Sequence, residues 1–286
     1  MAAYEVLATG LCFGEGPRWH ADELWFSDMH DHAVCSVDLD GHVTRRFAIE
    51  GASSGLGWLP DGSLVVVSME DRMLLRSSGD RLVPYADLSG IATFHCNDCV
   101  VDAEGRVYVG NFGFDLHGAI AAGSLATFRT AALAMVDTDG SVHTATTDLS
   151  FPNGSVITPD GRTLVVAETF AGNLTAFDIA TDGSLSNRRV WADLGDRRPD
   201  GICLDASGAI WAANAVANEC VRVAEGGQVL ERIETDNLCF ACMLGGPDGT
   251  SLFMLTAAAS DPVASSEQRS GHILVSPVTS PHAGRP

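Results

Sequence analysis

The chain carries a weak sixfold repeat in which a short apolar segment leads to a polar turn pair and a second, more strongly β-prone apolar segment follows. The turn pairs are Asp22-Glu23, Asp61-Gly62, Glu104-Gly105, Asp160-Gly161, Ser207-Gly208 and Asp248-Gly249, and the segments after them read LWFSD, SLVVVS, RVYVGN, RTLVVAE, AIWAAN and SLFMLT. Each unit predicts a β-hairpin. Successive turns are 39, 43, 56, 47 and 41 residues apart, close to the ~40–50 residues of a four-stranded propeller blade. The expected fold is therefore all-β, a six-bladed β-propeller with four-stranded blades that takes residues 1–286 as one domain. The one long spacing contains Phe114 to Thr130, rich in glycine and alanine, which reads as a loop inserted between blades three and four.

In a propeller the first strand of each blade lines the central channel, so equivalent positions of the repeat face one another across a ring. Seven residues before each turn stand Glu15, Ser54, Asn97, Asn153, Asp200 and Ala241. Four of the six bear carboxylate or amide side chains where apolar residues would otherwise fill the channel. Any one of them could simply cap a strand end or bind trapped water. Together they predict a cation, because a buried carboxylate needs a compensating charge. Glu15 and Asp200 supply negative charge, and Asn153 and Asn97 supply neutral oxygens. This hard-oxygen set suits Ca²⁺ first and also Mg²⁺ or Mn²⁺, with Zn²⁺ open on three ligands plus water.

Composition narrows the partners. The formal net charge of −20 repels phosphate backbones and anionic lipid surfaces, so neither nucleic acid nor a membrane is expected. Met1 to Gly14 has no basic residue ahead of an apolar run, and no stretch reaches the ~20 apolar residues of a bilayer span. A cytoplasmic location is expected. The eight cysteines are then expected to be reduced thiols. Two CxxC pairs, Cys96 with Cys99 and Cys239 with Cys242, could in principle form a zinc site, but each opens a strand-like apolar segment rather than a knuckle. Oligomeric state leaves no signature in the sequence.

The segments GEGPRW around Glu15, ND at Asn97 and Asp98, FPNG around Asn153 and RPDGICLD around Asp200 resemble the senescence-marker-protein, gluconolactonase and luciferin-regenerating-enzyme-like family of regucalcin-like propellers. The resemblance extends from Glu15 to the CFACMLGGPDG stretch ending at Gly249. It implies a six-bladed propeller with one divalent metal ion held by Glu15, Asn153 and Asp200, with Asn97 reaching substrate or water. It also implies lactone hydrolysis, with sugar lactones as the usual substrates. One departure bears on substrate: family members commonly carry Arg two residues before the ND motif, where this chain has His95, assigned here as a substrate-binding candidate beside Asn97. The apolar surroundings, Phe94, Cys96, Phe112 and Phe114, suit a less hydroxylated ring or ordinary core packing.

The expected chemistry is metal-assisted opening of a lactone ring, with Asp200 as both ligand and catalytic base for an attacking water. Ser54 and Ser155 lie near the ring, but no GxSxG elbow is present to activate a serine. His20, His95, His117 and His143 have no HxH or HxxxH spacing among them and read as surface or supporting residues. A phosphotriesterase on the same metal site and a non-enzymatic calcium- or ligand-binding propeller stay open as alternatives.

Overall fold

The computed structural model describes residues 4–284. Six four-stranded antiparallel sheets are arranged as the six blades of a propeller. The six β-prone segments each form the second strand of a blade, from Glu23–Asp28 in the first to Ser251–Ala257 in the last. The inner strands are Gly14–His20, Ser53–Trp58, Cys96–Val101, Pro152–Ile157, Pro199–Leu204 and Leu238–Gly245. Each packs against the inner strands before and after it, and the sixth packs against the first, which closes the ring.

Closure takes one strand from the far end of the chain. In the last blade the order is Leu238–Gly245, Ser251–Ala257, Gly271–Pro277 and then Glu5–Leu11. The N-terminal strand thus forms the outer edge beside the C-terminal one, burying Ala8 and Leu11 in the core. Apolar side chains of adjacent blades interdigitate between the sheets. No helix among the described residues is long and apolar enough to cross a membrane.

The long insertion lies elsewhere than its sequence position suggested. Phe114 to Thr130 falls between Val107–Asn111 and Ala131–Val136, the second and third strands of blade three, and carries the short helix Leu116–Ala121. Counting turn-to-turn spacing locates an insertion only to within one repeat. The strands flanking it pair directly, so it leaves the blade intact and folds over the channel mouth.

Glycine sets the width of the channel. Glu15, Ser54, Asn153 and Asp200 are each followed by glycine, and at each the neighbouring inner strand leaves no room for a side chain. A Cβ on Gly16 would lie 2.6 Å from Ser54 O, on Gly55 2.4 Å from Cys99 N, on Gly154 2.5 Å from Ile202 N, and on Gly201 2.7 Å from Ala241 Cα. All of these obstacles are backbone, which cannot swing aside. The same places are irregular within the blades. Pairing of first and second strands is interrupted between Glu15 and Arg18, Ser53 and Leu56, Cys96 and Cys99, Pro152 and Ser155, Pro199 and Ile202, and Cys239 and Ala241. Such bulges bend a strand and re-aim its side chains.

Gly154→Ala should therefore lower the unfolding free energy by about 1–3 kcal/mol through backbone overpacking. Gly90→Ala, where an added Cβ meets nothing within 4 Å, should stay within ~0.5 kcal/mol of the parent. Urea midpoints at constant slope measure both; equal midpoints for the two variants would contradict the close-approach account.

Candidate functional site

The ring residues open onto a cavity of about 470 Å³ at one mouth of the channel, lined at its floor by Glu15, Asn97, Asn153, Thr169 and Asp200. All five are buried. Four were legible from the repeat. Ser54 and Ala241, at the same register, are fully buried in the ring but do not line the cavity among the described residues.

The amides are braced. Asn97 Nδ2 donates to Pro152 O at 3.4 Å, and Asn97 Oδ1 accepts from Ser54 Oγ at 3.3 Å. Asn153 Nδ2 donates to Thr169 Oγ1 at 3.3 Å, and Thr169 Oγ1 donates onward to Pro199 O at 2.8 Å. The Asn153 amide also hydrogen-bonds the Asp200 carboxylate, for which its nitrogen is the donor. Nothing in the repeat points to Thr169, which follows the second strand of blade four and is outside the ring register. Ser155 Oγ donates to Asn153 O at 3.2 Å and Ser54 Oγ to Asn97 Oδ1, so neither serine pairs with a histidine among the described residues.

The carboxylates are poorly compensated. Burial, then the neighbouring Asp200 and Asp98 carboxylates, push the Glu15 carboxyl well above the ordinary range. Its one hydrogen bond among the described residues is from Gly16 N, at 3.1 Å. Asp200 is likewise pushed well up by burial and by Asp98, with the Asn153 side chain opposing the shift. Asp98 itself has a partner: Arg18, from the inner strand of blade one, reaches past blade two to place Nη2 3.3 Å from Asp98 Oδ1. The same guanidinium donates to Cys99 O and to Pro17 O. Arg18 lines a second cavity at the opposite mouth, so the pair divides the channel. Both residues lie in the GEGPRW and ND segments, yet their pairing skips a blade and no repeat arithmetic reveals it.

Above the floor the walls are aromatic. Two residues before the ring positions stand Phe13, His95, Phe151 and Arg198, a second layer of the same repeat. Phe13 packs on Phe240 with centroids 4.7 Å apart, Phe112 on Phe151 at 4.6 Å, and Phe151 on Phe170 edge-to-face at 5.2 Å. Phe151 holds φ +64°, a left-handed conformation that disfavours a bulky side chain. Phe114 is not a wall residue: it is buried behind, against Phe128, Phe151 and Phe170. The insertion covers the mouth, its helix capped by the Asp115 carboxylate accepting from Gly118 N at 2.9 Å, with His117 at the rim.

His95 faces elsewhere. It lines a side cavity of about 110 Å³ with His30, His32 and Glu70, which shares only Met29, Phe112 and His117 with the main cavity. Its ring stacks on Phe94 at 4.2 Å, and burial lowers its pKa. Of the remaining histidines, His20 stacks on Trp58 at 3.9 Å and His143 bonds Ser141 at 3.0 Å on the surface. The two CxxC pairs are apart: Cys96 and Cys99 lie in the core of blades two and three, whereas Cys239 and Cys242 pack with Cys203 and Cys220. The exposed cluster Asp38, Asp40 and His42 is a turn in which Asp38 Oδ1 accepts from the backbone of Asp40 and His42 at 3.0 and 2.9 Å.

Arg18→Met should destabilise the protein by about 3–5 kcal/mol, since it strands a buried carboxylate. Adding Asp98→Asn to that variant should restore part of the loss in a urea titration. No restoration would show that Arg18 acts through packing alone.

Residues 13–258 match the family described as the SMP-30/Gluconolactonase/LRE-like region. A pentonolactonase of Haloferax volcanii is 30% identical over 265 residues, 90% of this chain and 86% of that protein. Regucalcin of Xenopus laevis is 26% identical, over 88% of this chain and 85% of its own. Among solved structures, a calcium-binding regucalcin of Agrobacterium tumefaciens superposes with a TM-score of 0.81 at 21% identity, covering 98% of this chain and 95% of that one. A gluconolactonase of Xanthomonas campestris does so with a TM-score of 0.73 at 24% identity, covering 97% and 89%. Match and geometry agree, and the chain belongs to the SMP-30/gluconolactonase/LRE-like family.

Proposed function

We propose that the protein is a divalent-cation-dependent lactonase that opens its substrate by attack of water on the ring carbonyl. One observation carries the cation half of the reading. Glu15, Asp98 and Asp200 are three carboxylates buried around one channel, and their one ion pair among the described residues is that of Asp98 with Arg18. Glu15 and Asp200 have no ion pair among the described residues and sit where ionisation is expensive, a cost that a divalent ion would offset. Glu15, Asn153 and Asp200 would hold it, through oxygens alone, a donor set that favours Ca²⁺ and accommodates Mg²⁺ or Mn²⁺. The calcium-binding regucalcin relative supports that choice.

A bound cation there would draw charge from the lactone carbonyl oxygen as the tetrahedral intermediate forms. Asp200 accepts the proton of the attacking water, being the floor carboxylate that Asn153 flanks. Asn97, fixed by Ser54 and Pro152, orients substrate or water by a hydrogen bond without depending on the ion. The aromatic walls keep bulk water out and strengthen these interactions by lowering the local dielectric. The pentonolactonase and gluconolactonase relatives favour lactones over phosphotriesters and over binding without turnover.

A panel of sugar lactones, unsubstituted lactones and one phosphotriester, assayed with and without chelator, tests the reading. Lactone hydrolysis that survives exhaustive chelation would remove the cation from it; turnover of the phosphotriester alone would replace it. At saturating metal, Asp200→Asn should lower kcat by at least ~10²-fold, the lower range for loss of a general base. A wild-type rate in the fully metallated variant would leave Asp200 a ligand only. Asn97→Ala should retain the ion, checked by calorimetric titration, and lose about 1.5–3 kcal/mol of transition-state stabilisation, the worth of one hydrogen bond to a charged or polarised group.

A further inference from the structure

The chemistry of the cavity changes sharply with height. Its hydrogen-bonding side chains are concentrated on the floor, around the ring residues, while the walls are built from Phe13, Phe112, Phe151, Phe170 and Phe240. Large apolar side chains also stand open to solvent over this mouth. Ile120 is 59% exposed and Leu125 51%, both on the blade-three insertion, and Val216 of blade five is 60% exposed, yet all three line the same cavity. Apolar area left in water around a concave site is area a ligand can cover.

A polyhydroxylated ring would meet few partners there. Above the floor the polar side chains are His117, Ser124, Arg198 and Ser260, at the rim. The Arg198 guanidinium is turned back onto its own loop, with Nη1 donating to Arg197 O at 2.9 Å and to Gly195 O at 3.4 Å. His95 lies off the cavity altogether. Sugar hydroxyls placed against five phenyl rings would lose water without gaining acceptors or donors.

We infer that the site takes lactones bearing an apolar substituent, an alkyl chain or aryl group on the ring carbon, in preference to polyhydroxylated sugar lactones. The ester group sits on the polar floor and the substituent runs up between Phe151 and Phe240 to the underside of Ile120 and Leu125. The inference rests on the lactonase reading for the ester and on the walls alone for the substituent.

The test has two arms with the metal-loaded full-length protein. In the first, kcat/KM is measured for δ-gluconolactone and for δ-lactones with alkyl chains of increasing length. It should rise about fourfold per methylene until the cavity is full, the value of one buried CH₂, and the alkyl lactones should exceed δ-gluconolactone. The double variant Ile120→Ser, Leu125→Ser changes exposed side chains and should melt like the parent while flattening the dependence on chain length. In the second arm, binding of the corresponding alkyl and polyhydroxylated δ-lactams, which resist hydrolysis, is followed by calorimetry. Tighter binding of the alkyl lactam supports the apolar subsite even if no lactone is turned over, an outcome that would sink the lactonase reading alone. Preference for the sugar compound in either arm, or a chain-length dependence untouched by the double variant, overturns the inference while leaving lactone hydrolysis in place.

Discussion

In four of the six blades the inner strand approaches the next more closely than a side chain permits, and this approach determines the rest of the site. Glycine after Glu15, Ser54, Asn153 and Asp200 lets backbone meet backbone between blades. With the strands that near, irregular pairing in the inner strands of blades one, three, four and five accompanies the gathering of Glu15, Asn97, Asn153 and Asp200 on one cavity floor. A wider ring would admit water and the carboxylates would be solvated separately. A tight ring forces them to share one desolvated volume, and the need for a counter-charge follows from geometry.

The electrostatics then rank the residues. Three carboxylates and one guanidinium share the channel, and Arg18 is spent on Asp98, the carboxylate that occupies in blade three the place glycine takes in four other blades. Asp98 cannot be bypassed: its Oδ1 also accepts from Cys99 N at 2.7 Å, which ties the ion pair to the irregular stretch of the inner strand. Arg18 therefore closes the lower side of the site and leaves Glu15 and Asp200 to whatever enters from above. A ligand that binds only the folded ring adds RT ln(1 + [L]/Kd) to its stability, so the ring is a weak point of the bare fold and a strong one of the loaded fold.

The blades and the ring were legible because both follow from a period, and a period survives sequence divergence. Glu15, Asn97, Asn153 and Asp200 fell at one register, and the structure places all four on one floor. What the repeat could not show has no fixed offset. Arg18 and Asp98 meet past an intervening blade, Thr169 supports Asn153 from the turn after the second strand of blade four, and Glu5–Leu11 closes the last blade from the other end of the chain. The insertion was found but put between blades, because turn spacing cannot tell which of four strands it interrupts. His95 stands where family members commonly carry Arg, which made it a substrate-binding candidate, whereas its ring stacks on Phe94 and lines the side cavity. A second pass two residues up the register would have found Phe13 and Phe151, one layer above the ring.

That second layer separates what the site does from what it accepts, though not completely. The ring residues of the floor lie in the inner strands, beside the close backbone approaches. Phe112 and Phe170 come from loops after second strands, where no such approach applies. Phe13 and Phe151 instead stand two residues before Glu15 and Asn153, and Phe240 lies within the inner strand Leu238–Gly245. Phe151 also holds a left-handed conformation, packed on Phe112 and Phe170. A change in the wall at that point relaxes the backbone that aims the amide, so specificity and chemistry are coupled through blade four, whereas Ile120 and Leu125 on the insertion are free of the ring.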